Sequence, residues 1–123
     1  MTTEDELFTV VDLYEGVRLI TKWLDDANEP DPHEDAMRVL KLAEEVGEAV
    51  EAYIGFTGQN PRKGVTHTGL QFYHELIDVA VTALCALQHF TQDDKVTRAY
   101  VEARVRATVR RAGLVTEENA IKE

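Results

Sequence analysis

The chain has 123 residues, enough for one domain, and its 13 lysines and arginines against 23 aspartates and glutamates leave a formal charge of −10. A surface this acidic repels a phosphate backbone and disfavours nucleic acid as a partner, but not a small phosphorylated ligand held through a divalent cation. Hydrophobic residues make up 44%, too many for a disordered chain, and the single cysteine, Cys85, excludes an internal disulfide framework and a multi-cysteine zinc site. The N-terminus has no basic segment followed by an apolar run, and no stretch approaches the ~20 apolar residues of a membrane span. Composition thus predicts a soluble, cytoplasmic protein, a single domain over residues 1–123, with no membrane among its partners.

Four segments read as helices. Over about 4–27, Leu7, Val10, Val11, Tyr14, Val17, Ile20 and Leu24 recur at intervals of three and four. Glu29-Pro30-Asp31-Pro32 breaks that pattern, because proline lacks the amide proton and biases its predecessor away from helix. Met37, Leu40, Ala43, Gly47, Val50 and Ile54 then mark a helix over about 33–55. Residues 55–69 hold Gly55, Gly58, Asn60, Pro61, Gly64 and Gly69 and read as a loop. The third helix, about 68–90, is nearly all apolar in its second half, which predicts a central helix covered on several sides. Thr91-Gln92-Asp93-Asp94 suits a helix cap, and the last helix spans about 93–112. It has two apolar stripes, Val101-Val105-Val109 and Val96-Tyr100-Ala103-Ala107, more than one neighbour can cover, which favours oligomerisation. The tail from Leu114 to Glu123 carries three acids and is expected to fray. The fold class is all-α, a four-helix arrangement.

Helix two carries Glu44, Glu45, Glu48 and Glu51 within eight residues. At 100° per residue, with Glu44 at zero, Glu48 falls at about 40°, Glu45 at about 100° and Glu51 at about −20°. Leu40, Gly47, Ile54 and Ala43 occupy about −40° to −100°, so Glu44 and Glu48 border that apolar arc. Helix three adds Glu75 and Asp78, and Asp78, between Ile77 and Val79, is expected to be partly buried. Like charges at this spacing cost a few tenths of a kcal/mol on a bare helix and much more against a core, unless cations neutralise them. Lys41 is the one basic residue close by on helix two. A set of five carboxylates suits Mg²⁺ or Mn²⁺, which take oxygen ligands in octahedral geometry. The plain alternative for the acids of helix two is a solvated acidic face.

The segment Lys41-Leu42-Ala43-Glu44-Glu45-Val46-Gly47-Glu48-Ala49-Val50-Glu51 resembles the EExxE helix of the MazG-type all-α nucleotide pyrophosphohydrolases. Glu75-Leu76-Ile77-Asp78 resembles their ExxD helix, with 26 residues and a Gly-rich loop between Glu48 and Glu75. The resemblance implies a MazG-like bundle, completed as a homodimer or homotetramer, that hydrolyses a nucleoside triphosphate to the monophosphate and pyrophosphate. It implies Glu45, Glu48, Glu75 and Asp78 as the main Mg²⁺ ligands, with Mn²⁺ as a substitute. Glu44 would hold a further ion or, with Glu45, act on the attacking water. The metal-water chemistry this calls for needs no nucleophilic side chain, and Cys85 reads as ordinary helix packing.

Other residues admit a ligand role beside a plain one. Trp23 could stack on a nucleobase or simply pack. Lys41 and His74 flank the acidic motifs. Six of the thirteen basic residues fall on the last helix; Arg104 and Arg111, seven apart, could reach phosphate oxygens or be solvated charges. Arg62 and Lys63 sit in the central loop. Two rival classes differ from the hydrolase. A di-iron carboxylate bundle would place Glu-x-x-His on two helices, but here Glu45-Val46-Gly47-Glu48 and Glu75-Leu76-Ile77-Asp78 end in an acid, which points to Mg²⁺ or Mn²⁺ rather than iron. A non-enzymatic regulator or adaptor on the same scaffold would show little response to Mg²⁺ and no turnover.

Overall fold

The computed structural model describes residues 12–114, and these form four helices and no strand. They are α1 (Leu13–Ala27), α2 (Pro32–Thr57), α3 (Gly69–Thr91) and α4 (Asp94–Arg111). Each begins on a side-chain cap that satisfies amides left orphaned by the first turn. Asp12 accepts from the amide of Tyr14, Asp31 from that of Glu34 with Pro32 following, and Asp93 from those of Lys95 and Val96. Thr68 and Gln71 form a reciprocal capping box at α3. The three later helices therefore match the sequence expectation to within two residues at each end. The first does not. Asp12 has a non-helical backbone (φ −53, ψ 141), so the helix predicted from residue 4 begins at Leu13. Residues 4–11 and the predicted frayed tail from 115 lie outside the described residues.

α3 is the hub: α1, α2 and α4 all pack on it, α4 also packs on α1, and among the described residues the backbone of α2 comes close to neither α1 nor α4. The α2–α3 hairpin is antiparallel, as its cross-helix pairs show. Phe72 meets Tyr53 and Phe56 at ring separations of 5.3 and 6.3 Å, Glu75 meets Glu45 and Glu48, and His89 meets Asp35. The buried stripe of α2 is Arg38, Ala49 and Ala52, with Gly55; Arg38, Ala49 and Ala52 lie at about 80–140° on the wheel used above. This corrects the expected apolar arc: Leu40, Ala43, Gly47, Val50 and Ile54 are exposed. Small side chains decided the face, because alanine and glycine let the helix axes approach as branched residues cannot. Glu45, at about 100°, lies within the packed stripe rather than beside it.

Two glycines close the hairpin. Gly58 ends α2 with a left-handed backbone (φ 67). Gly55 lets the loop return, since a Cβ there would meet His67 Nδ1 at 2.1 Å and Thr66 Oγ1 at 2.3 Å. Among the described residues the buried apolar core is small, comprising Val17, Ala49, Ala52, Cys85 and Ala86. Burial pushes the Cys85 thiol up, in keeping with a packing role. α3 is only partly covered: Leu70, Tyr73, Leu76 and Ile77 in its first half are exposed. By length and composition α3 does reach the size of a membrane-spanning helix, contrary to the sequence expectation. Three helices pack on it, and it carries Glu75 and Asp78.

A polar network joins α1, the start of α2 and the end of α3. Arg38, 7% exposed, binds Glu34 through Nε at 2.6 Å, and its Nη2 lies 2.9 Å from Asp25 Oδ1. That second contact has ion-pair distance but not hydrogen-bond geometry, so both terminal nitrogens stay buried without a hydrogen-bond partner. His89 places Nδ1 2.9 Å from Asp25 and Nε2 2.6 Å from Asp35, and Gln92 donates to Asp25. Only the imidazolium can donate from both nitrogens. Burial pulls the His89 pKa down, but the Asp35 and Asp25 carboxylates outweigh it and hold it above the ordinary 6.5. Burial likewise raises Asp25, but His89 and Gln92 outweigh it and hold it below 3.8. The raised histidine contributes stability that is complete below 6.5 and lost as pH rises through its folded value. The depressed aspartate contributes above 3.8 what is lost as pH falls through its folded value. The melting temperature should therefore peak between these limits and fall on the alkaline side, and His89→Gln should flatten that alkaline limb. Circular dichroism melts from pH 4 to 9 test this; an unchanged limb in the variant would contradict it.

Candidate metal centre

The packed face of α2 carries Glu45, and Glu48 follows one turn later on its edge. Opposite them α3 presents Glu75. One carboxylate oxygen from each lies within 4.8 Å of the others. Glu45 and Glu75 are half-buried and Glu48 is exposed. Glu75 Oε2 is buried and has no hydrogen-bond partner, a state that costs free energy unless something positive meets it. Burial raises the Glu45 pKa first, and the negative charges of Glu48, Asp78 and Glu44 add to it, while Lys41 opposes.

Three acids crowded on the seam between two packed helices are an electrostatic liability, which one lysine relieves in part. Lys41 reaches Glu44 at 2.9 Å, and Glu44, Glu45 and Glu48 together hold its pKa above the ordinary value. A divalent cation would relieve the rest. The donor set is all oxygen, as Mg²⁺ and Mn²⁺ require. With Mg²⁺–O bonds of ~2.1 Å, two ligands on one ion lie at most ~4.2 Å apart. The three oxygens, within 4.8 Å of one another, are close to the spacing that sharing one ion requires. The orphaned Glu75 oxygen and the donor chemistry both fit such an ion.

The remaining residues singled out in the sequence divide between near and far. Asp78 is exposed, not partly buried as expected, and lies outside the three-oxygen group while remaining close enough to act on Glu45. One turn after Glu75, it points off the seam that holds Glu45. Glu44 is exposed and tied to Lys41 rather than grouped with the other acids. His74 is exposed at the edge of the cluster, and Trp23 is 69% exposed on α1. Arg104 and Arg111 are exposed on α4, which packs on α1 and α3 and not on α2, and Arg111 donates to Thr108 of its own helix. Away from the acids, in the polar network with Glu34 and Asp25, lies a buried cationic residue that sequence reasoning passed over, Arg38. It lines, with Ile20, Leu24, Lys41, Thr82 and Cys85, a small cavity of about 120 Å³ among α1, α2 and α3. Its signal was its register with Leu42, Glu45 and Ala49, visible only once the packed face is known.

Comparison with protein-family models, with curated proteins and with solved structures returns no match.

The carboxylate crowding has a measurable consequence. Glu48→Gln removes one of three mutually repelling charges, so without metal the variant should be more stable than the parent, by about 0.5–2 kcal/mol. The parent should gain melting temperature on adding Mn²⁺, and the variant should lose most of that gain. Melts in EDTA and in Mn²⁺ decide it; equal metal responses would show that these acids bind no ion.

Proposed function

We infer that this chain is a metal-dependent nucleoside triphosphate pyrophosphohydrolase of MazG type, acting in nucleotide-pool housecleaning. What carries the reading is the meeting of Glu45 and Glu48 from the EExxE segment with Glu75 from the ExxD segment, where the Glu75 oxygen is buried and unpartnered. Glu45, Glu48 and Glu75 would hold Mg²⁺, with Asp78 beside them. When bound, Mg²⁺ supplies charge neutralisation for a triphosphate and acidifies water for attack at the α-phosphorus. The chain's part is to hold the acids in place and to position ligand. α2 and α3 fix the acids on rigid helices. Glu44, exposed and paired with Lys41, would orient water, and Lys41 would temper the negative potential that otherwise repels phosphate.

A homodimer or homotetramer belongs to the same reading. The outer face of α2 leaves Leu40, Val50 and Ile54 exposed, and α3 leaves Leu70, Tyr73, Leu76 and Ile77 exposed. A further apolar hollow of about 310 Å³ lies between them, lined by Val46, Ala49, Val50, Tyr53, Phe72, Leu76 and Val79. Exposed apolar residues gathered beside such a hollow are what a partner surface covers. Sedimentation should report twice or four times the 13.9 kDa chain mass. Ile77→Asp should shift it toward monomer, and a monomeric parent would remove assembly from the reading.

The activity is tested with a panel of NTPs and dNTPs in Mg²⁺ or Mn²⁺, with products identified by ³¹P NMR. Monophosphate plus pyrophosphate is expected, and Glu48→Ala and Asp78→Ala should each lower turnover by about 10²-fold or more with helicity retained. Orthophosphate plus diphosphate would place attack at the γ-phosphorus and overturn the reading. No turnover with any nucleotide would favour a binding protein on this scaffold.

A further inference from the structure

After α2 ends, the chain turns back along it. Asn60 organises that return: its carbonyl accepts from the amides of Lys63 and Gly64 at 3.2 and 2.9 Å, and its side chain accepts from Arg62 N at 3.0 Å. The Gly55 carbonyl then takes the Thr66 amide at 2.9 Å, so both ends of the loop are fastened. Between this loop and the second half of α2 lies a cavity of about 330 Å³. Gly47, Val50, Glu51 and Ile54 form its floor, and Asn60, Lys63 and His67 stand on the loop side. The floor is open at residue 47, where an added Cβ would meet nothing within 4 Å. Glu51 follows Glu48 by three residues, about 4.5 Å along the helix axis, so the acidic edge of the cavity lies one turn from Glu48, the exposed member of the carboxylate group.

The lining narrows the class of ligand. The volume lies at the small end of ligand sites, which run from ~300 to ~1,000 Å³. That suits a nucleoside better than a whole triphosphate. Val50 and Ile54 offer apolar surface to a ring, and the amide, ammonium and imidazole offer hydrogen bonds to its edge. The Glu51 carboxylate repels phosphate and accepts from hydroxyl or amino groups. Charge is thereby sorted: phosphates belong with a cation at the acids, and the neutral part of the molecule belongs here.

We propose that the cavity between the second half of α2 and the loop 58–67 binds the nucleoside moiety of a nucleotide whose phosphates lie at Glu45, Glu48 and Glu75. The inference rests on the pyrophosphohydrolase reading for the presence of a nucleotide, but its test does not need catalysis. ¹⁵N-labelled protein is titrated with uridine, cytidine, adenosine and guanosine, none of which carries phosphate. Saturable shifts centred on the amides of Gly47, Gly64 and His67 are expected for at least one of them. Gly47→Leu should plug the floor, weaken that nucleoside at least tenfold, leave Mn²⁺ affinity unchanged and melt no lower than the parent, since leucine is a better helix former than glycine. In turnover, the same variant should raise KM at least tenfold. Shifts elsewhere, no shifts in the parent, or equal binding by the variant would overturn the proposal. Nucleoside binding in the cavity without cleavage of any triphosphate would uphold the site and sink the hydrolase. Cleavage with an unchanged KM in Gly47→Leu would uphold the hydrolase and sink the site. The mapping is made on the parent, so it decides even if the variant fails to fold.

Discussion

Close approach of α2 and α3 is the constraint from which the rest of the molecule follows. Ala49, Ala52 and Gly55 give α2 a packed face almost without side chains, and a face of that kind is chosen because it brings two backbones together at the expense of larger residues left outside. With the register set by those residues, Glu45 and Glu48 arrive opposite Glu75. The same choice turns Leu40, Val50 and Ile54 outward. It also leaves Gly55 bare for the returning loop, whose Thr66 and His67 occupy the space a side chain would take. The carboxylate group, the open apolar surface and the loop-walled cavity are three results of one packing decision.

The two ends of the α2–α3 pair are held by opposite electrostatic means. Near the start of α2, acids and bases alternate in space: Arg38 lies against Glu34 and Asp25, and His89 lies between Asp25 and Asp35. Each negative group there has a positive neighbour, and side chains alone link α2 to α1, whose backbones do not pack. Further along the same helix the acids face one another and a single lysine answers them. On the metal-dependent reading proposed above, the place where the charges stay crowded is the one a cation would complete. The contrast is more informative than the count of acids.

Local signals in the chain were read well because caps and breakers act locally. Asp31-Pro32, Thr68 with Gln71, and Asp93 each start a helix through contacts within three residues. Of the five acids that the family resemblance set together, Glu45, Glu48 and Glu75 meet, while Glu44 and Asp78 stay outside the group. What could not be read was orientation. α2 bears apolar residues around much of its circumference, so periodicity marked a larger and more branched arc than the one that packs. That error carried over to the site. It placed Glu45 off the core when it lies on the packed stripe, and it hid Arg38 altogether. Asp78 failed for a related reason: apolar neighbours in sequence imply burial only where a second helix covers that side, and Ile77 beside it is itself exposed. The start of α1 failed because one aspartate with an extended backbone interrupts a pattern that hydrophobic spacing alone would have continued.

The position of the acids between two apolar faces adds a last consequence. On α2, Glu44, Glu48 and Glu51 run along a strip with the packed stripe on one side and the outward arc of Leu40, Val50 and Ile54 on the other. With the outer arc in water, the strip is solvated from that side, and high dielectric weakens the repulsion among its charges. Any partner that covered the arc would remove that water. The repulsion would then grow, and so would the free energy released when a cation meets the carboxylates. If the chain assembles through that arc and binds a cation at the acids, as proposed above, the two would be coupled through desolvation of a shared strip, with no conformational change required. By linkage the coupling runs both ways: a cation that neutralises the strip lowers the cost of covering the arc.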